Sequence, residues 1–182
     1  AMGYNTFGQL GDGTTTARTA PVQVAVGVSA VAAGESHSLF VKTDGTLWAM
    51  GYNTFGQLGD GTTLQRNAPV KAAGGVQAAA AGSQHSLYLK ADGSLWAMGW
   101  NTYGQLGDGT TTQRSSPVQV AGGVSAVAAG GWHSLYQKND ETMWAMGFNS
   151  SAQLGDGTTT SRNSAVQIAG GVTAVSAGSE HS

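Results

Sequence analysis

The sequence repeats itself at a fixed spacing, and that period limits the fold more than any other feature: Gly3, Gly51, Gly99 and Gly147 stand 48 positions apart. The stretch Trp48-Ala49-Met50-Gly51-Tyr52-Asn53-Thr54-Phe55-Gly56-Gln57-Leu58-Gly59-Asp60-Gly61-Thr62-Thr63 recurs nearly unchanged from Trp96 to Thr111 and from Trp144 to Thr159. Its tail opens the chain at Ala1 to Thr15. A period of about 20–50 residues marks supersecondary units stacked on copies of themselves. The 182 residues read as a single array of repeats: 1–48, 49–96, 97–144 and an incomplete 145–182.

Within one period the residue pattern calls for short strands. Val76 to Ala81 is rich in alanine, which lets neighbouring backbones approach closely. Ser86 to Lys90 carries Leu87 and Leu89 on one face, and Ala91-Asp92-Gly93 is a strong hairpin signal. Ser94-Leu95-Trp96 begins the next strand; in its counterpart, alternation sets Leu47 and Ala49 opposite Trp48 and Met50. The glycines of Tyr52 to Thr63 describe a shaped loop, with Asn53 and Asp60 suited to side-chain-to-backbone turns. Pro69-Val70 then marks an outer edge strand, because proline lacks a ladder donor. Four antiparallel strands per repeat, alanine strand innermost and proline strand at the rim, make a propeller blade. No apolar set at helical spacing runs beyond a turn or two. The expectation is an all-β β-propeller of four-stranded blades.

Composition narrows the function. Charged residues are 10% of the chain, against about 25% in ordinary domains, and eight Lys and Arg are spread along the repeat at a net charge of −2. No concentrated basic patch exists for nucleic acid or an anionic membrane, so neither is an expected partner. There is no cysteine for a disulfide or thiolate site. No run approaches the ~18 apolar residues of a membrane span. No signal peptide is visible, and the compartment stays open.

The elements Ala80-Ala81-Gly82-x-x-His85-Ser86-Leu87, Asp92-Gly93-x-x-Trp96-Ala97-x-Gly99, Asn101-x-x-Gly104-Gln105-Leu106-Gly107-Asp108-Gly109 and Pro117-Val118 resemble the repeat of the regulator of chromosome condensation family. The resemblance covers essentially the whole chain, and the near-identity of the repeats is closer to bacterial members. It implies a β-propeller, typically seven-bladed, that binds and does not catalyse. Its known activities are nucleotide exchange on a small GTPase with chromatin contact and, in a bacterial secreted member, β-lactamase inhibition. No long insertion like the exchange wedge and no basic tail like the chromatin arm is present.

Three complete sheets are expected, with a lone inner strand at Val172 to Ala177 and the outer part of a blade at the N-terminus. Such an array leaves sheet edges bare. The expected remedy is homo-oligomerisation, as a dimer closing a ring of about eight blades with a shared blade at each join. A fragment of a longer propeller and a four-bladed ring are the alternatives. The opening Ala1-Met2 has the look of a cloning remnant and points to an engineered chain.

No catalytic, cofactor or metal site is expected. His37, His85, His133 and His181 share one phase and read as one structural histidine per blade bonding a neighbouring turn. Asp12, Asp60, Asp108 and Asp156 each give their loop one carboxylate, and Arg18, Arg66, Arg114 and Arg162 follow six residues later as their partners. Serine and histidine adjoin in each repeat, but strand neighbours point to opposite faces, which defeats a nucleophile–base bond. Candidate interaction residues come from loop positions where the repeats differ. These are the aromatic phase Tyr4, Tyr52, Trp100 and Phe148, and the inner connection with Glu35, Gln84, Trp132 and Glu180. A second phase holds Phe7, Phe55, Tyr103 and Ser151. Both aromatic phases also suit packing between blades. Trp132 is the favoured anchor, since it replaces a polar residue. The expected function is a non-enzymatic scaffold for an unidentified protein partner or for self-assembly. The alternatives are an engineered or fragment propeller whose only activity is ring closure, and a lectin-like or β-lactamase-inhibitor-like binder.

Overall fold

The computed structural model describes residues 1–182 and contains twelve strands and no helix. They are β1 (Val28–Ala33), β2 (His37–Lys42), β3 (Leu47–Gly51), β4 (Arg66–Ala73), β5 (Val76–Ala81), β6 (His85–Lys90), β7 (Leu95–Gly99), β8 (Arg114–Ala121), β9 (Val124–Ala129), β10 (His133–Lys138), β11 (Met143–Gly147) and β12 (Arg162–Ala169). They form three four-stranded sheets, ordered β1-β2-β3-β4, β5-β6-β7-β8 and β9-β10-β11-β12. Every pairing is antiparallel. The proline strands β4 and β8 are edges, and Pro69 and Pro117 lie inside them. At eight residues they exceed the short strand expected.

The sheets bury their faces on one another. Leu39, Val41, Leu47 and Ala49 of the first sheet meet Val76, Tyr88 and Met98 of the second, with Leu58 from the connecting loop between them. Leu87, Leu89, Leu95 and Ala97 then meet Val124, Tyr136 and Met146 of the third, around Leu106. The alternation read from Leu47-Trp48-Ala49-Met50 therefore separates the two sides of a blade. Burial of a leucine contributes about 1.5–3 kcal/mol, so stacking is the principal stabilising term.

Part of a blade stands at each end. Gly3 and Arg18 form an antiparallel bridge, and Ala1 and Val22 exchange backbone bonds of 2.8 Å in both directions. The strand expected at Val172 to Ala177 is not formed. An inner strand pairs only with the second strand of its own sheet, and no second strand stands beside this segment. The segment is nonetheless docked: Ala177 packs with Leu135, Ala145 and Leu154, and Gln137 Nε2 donates to Val172 O.

Candidate interaction face

The antiparallel order puts the β1–β2 connection and the long β3–β4 loop at one end of each blade. The loop is held by a single buried asparagine. Asn53 Nδ2 donates to Thr62 O (3.2 Å), Leu64 O (3.0 Å) and Asp60 Oδ1 (3.3 Å), while its Oδ1 accepts from Leu58 N at 3.0 Å. Asp60 caps the following turn, accepting from Thr62 N at 3.0 Å and Thr62 Oγ1 at 2.7 Å. Its other oxygen pairs with Arg66 at 2.7 Å, and the same pair recurs as Asp12–Arg18, Asp108–Arg114 and Asp156–Arg162. The Thr14 hydroxyl and Arg18 hold the Asp12 carboxyl well below the usual carboxylate range. Burial pushes Asp60 upward, but Thr62 and Arg66 outweigh it and leave that carboxyl lowered as well. Gln57 Oε1 accepts from Phe55 N at 3.2 Å, a role the sequence pattern did not single out.

These braced loops carry a continuous strip of aromatic rings. Phe7 meets Tyr52 at a centroid distance of 5.0 Å, Phe55 meets Trp100 at 5.7 Å, and Tyr103 meets Phe148 at 4.6 Å, each pair crossing from one repeat to the next. Within a repeat, Tyr52 touches Phe55 at 6.1 Å and Trp100 touches Tyr103 at 5.4 Å. Phe7, Phe55 and Tyr103 are thus the links between the rings of the other phase. Trp132 sits over Trp100 (6.3 Å), Tyr103 (6.2 Å) and Phe148 (5.8 Å). Tyr4 begins the strip, 6.4 Å from Phe7 and largely exposed. The other rings are half-buried, so they pack between blades and present an edge to solvent. Glu35 and Gln84 line a shallow depression with Phe7 and Tyr52. Glu180 lies apart, in a depression with Ser151 and His181.

The histidines do different work. His37 Nε2 lies 2.9 Å from Ser86 Oγ, His85 Nε2 2.8 Å from Ser134 Oγ and His133 Nε2 3.0 Å from Ser182 Oγ. Serine and histidine do meet, then, but across a blade boundary and not as chain neighbours. Ser86 and Ser134 spend their protons on Gln57 O and Gln105 O, both at 2.8 Å. Each histidine must therefore donate from Nε2, the reverse of what a general base needs. No three His, Asp or Glu side chains converge as a metal-binding group. At the opposite end of the blades, Lys42, Lys90 and Lys138 stand over Trp48, Trp96 and Trp144 at 4.9, 4.4 and 4.4 Å. No helix is long and apolar enough to cross a membrane.

The model of the regulator of chromosome condensation (RCC1) repeat matches residues 1–41, 44–89 and 92–136, and a second RCC1 repeat model matches 28–57 and 76–105. The chain belongs to the RCC1 repeat family. No curated protein sequence matches it. Among solved structures it is similar to human WBSCR16, at 27% identity and a TM-score of 0.79 over 92% of this chain and 46% of that one. It is also similar to Prp20p of Saccharomyces cerevisiae, at 24% identity and a TM-score of 0.72 over 84% of this chain and 42% of that one. That structure was described with its binding properties to Gsp1p and histones. Yeast RCC1 (Prp20) bound by Kap60 superposes at a TM-score of 0.74 and 24% identity, over 85% and 41%. The RCC1-repeat chain spans less than half the length of each of these three proteins. These likenesses establish the propeller-type fold of the three blades.

Proposed function

We propose that the chain is a non-enzymatic interaction scaffold whose aromatic strip docks a protein partner. The observation that carries this reading is the unbroken run of rings from Tyr4 to Phe148, capped by Trp132, on one end of three blades. Asparagine-braced loops fix the rings before binding, so little conformational entropy is lost on docking. Aromatic anchors in well-packed surroundings dominate binding energy at protein interfaces. The similar Prp20p and RCC1 structures concern proteins with protein partners, which supports the same partner class here.

The test is calorimetric binding to a purified β-lactamase, the partner of the inhibitor-like relatives, beside a glycan array. The expected result is protein binding that weakens about 30-fold in Trp132→Ala, a loss of about 2 kcal/mol, measured at a temperature well below the variant's own midpoint, which the lost ring contacts lower. Binding to glycans alone, or protein binding indifferent to Trp132→Ala, overturns the reading.

A further inference from the structure

The connection between the inner and second strands changes from blade to blade, and one change leaves a depression. Phe7, Glu35, Ser36, Tyr52, Ser83 and Gln84 line it, where the first blade meets the second. One repeat onward the same positions hold Phe55, Ser83, Gln84, Trp100, Gly131 and Trp132. There the Trp132 ring lies over Trp100 at 6.3 Å, and no such depression is left. The backbone differs as well. Ser83 N donates to Gly131 O at 3.0 Å between the second and third blades, whereas no bond joins Glu35 N to Ser83 O. Beside Tyr52, therefore, stands the space that a large side chain fills beside Trp100.

The lining residues define what suits that space. Phe7 and Tyr52 are in contact at 5.0 Å, their planes 61° apart. Glu35 is the only charged residue among the six. It is exposed and takes no part in the ion pairs, all of which join Asp to Arg. Ser36, Ser83 and Gln84 add neutral oxygen acceptors. No cation of the chain competes for Glu35. Every arginine is held by its aspartate. Lys42, Lys90 and Lys138 stand over tryptophans at the other end of the blades, and Lys71 is close enough to Asp44 at that end to help lower its carboxyl.

We infer that this depression takes an arginine side chain of the partner, its guanidinium against the Phe7 and Tyr52 rings and paired with Glu35. The inference rests on the docking reading of the aromatic strip and names the partner's chemistry at one point of it. A cation is drawn to the face of an aromatic ring, and a neighbouring carboxylate adds to the attraction. Arginine fits better than lysine. Its planar guanidinium stacks on rings, is weakly hydrated, and has donors enough for the carboxylate and the Ser and Gln oxygens together. An apolar side chain would desolvate Glu35 and leave it unpaired.

Heteronuclear NMR titration with N-acetyl-arginine methylamide tests this, beside its leucine counterpart and its neutral isostere, the citrulline compound. The arginine compound is expected to shift the amides of Glu35, Tyr52, Ser83 and Gln84, with a dissociation constant on the order of 10 mM. The citrulline compound should bind about threefold more weakly, and Glu35→Gln should bring arginine down to the same level. Gln84→Trp, which reproduces the next blade, should abolish the shifts. Glu35 is exposed, so Glu35→Gln keeps the test valid even where Gln84→Trp fails to fold. Citrulline or leucine binding as tightly as arginine overturns the inference, as do arginine shifts unmoved by Glu35→Gln. The docking reading fails separately. Protein binding that falls in Trp132→Ala but ignores Glu35→Gln leaves that reading standing and removes the arginine. Arginine shifts without any protein binding keep the site and remove the reading.

Discussion

Lowering the pH from 7 to 4 removes several kcal/mol of stability, and the loss begins well above the range in which carboxylates titrate. Burial holds His37 down at about 4, and burial with His37 and His133 alongside holds His85 down at about 3, from an ordinary 6.5. In the unfolded chain both protonate near 6.5. Between that value and about 4 the unfolded state binds more protons than the folded one, so stability is full above pH 6.5 and falls as pH falls through the window. At 1.36 kcal/mol per pKa unit, His37 alone accounts for about 3 kcal/mol and His85 for more. Total stabilities are about 5–15 kcal/mol, so the pair is a large share. The geometry explains why the folded state refuses the proton. Nε2 already donates to serine, and a proton on Nδ1 would have no acceptor, since Nδ1 of His37, His85 and His133 is buried without a partner. The Asp–Arg pairs act in the same direction only at lower pH, because their carboxyls are held below the usual range. Thermal midpoints from pH 7 to 4 are the measurement. A gradual fall beginning near 6.5 is expected, shallower in His85→Gln, whose amide can still donate to Ser134 but does not titrate. A midpoint flat down to pH 4.5 would show that these imidazoles are not buried neutral.

Most of the fold was legible because each repeat states it again. The hairpins at Asp44-Gly45 and Asp92-Gly93, the edge prolines and the alternation in Leu47-Trp48-Ala49-Met50 fix strand number, order and facing, and the sheets follow them. What the pattern could not give is whatever depends on a neighbour. Val172-Thr173-Ala174-Val175 reads as β1 does, yet forms no strand, because a strand is a property of its ladder partner and not of its own residues. His37 and Ser38 adjoin in sequence, but the contact that forms joins His37 to Ser86. Of the candidate residues, the aromatic phases were visible as a recurring residue class. Their union into one strip was not, since Phe55 to Trp100 and Tyr103 to Phe148 are contacts between repeats. Glu180 shares the phase of Trp132 but stands at the end of the array, where no further ring adjoins it.

Gly104→Ala should be among the most damaging single-methyl changes in the chain, lowering the thermal midpoint by about 10 °C through a loss of about 3 kcal/mol. Two costs combine. Gly104 has φ +79, where an L-residue with a Cβ is strained by about 1–2 kcal/mol. The added Cβ would also lie 2.2 Å from Asn163 Cα and 2.7 Å from Asn163 Cβ, so the loop of the second blade must lift from strand β12 of the third. Lifting it strains the Gly109 N to Asn163 O bond at 2.9 Å and loosens Leu106, fully buried at the centre of the cluster between those blades. Gly109→Ala separates the two terms. It sits in the same loop at φ +80, but its Cβ would meet only Ser164 Oγ at 3.8 Å, so it incurs the backbone cost without the collision. The difference between the two midpoints measures how tightly the blades are pressed together. Equal losses would mean that the close approach contributes nothing to stability. The chain contains a version of this comparison: Ala152 occupies the corresponding site of the fourth repeat at φ 59, on the side of the array where no further blade of the same chain stands against it.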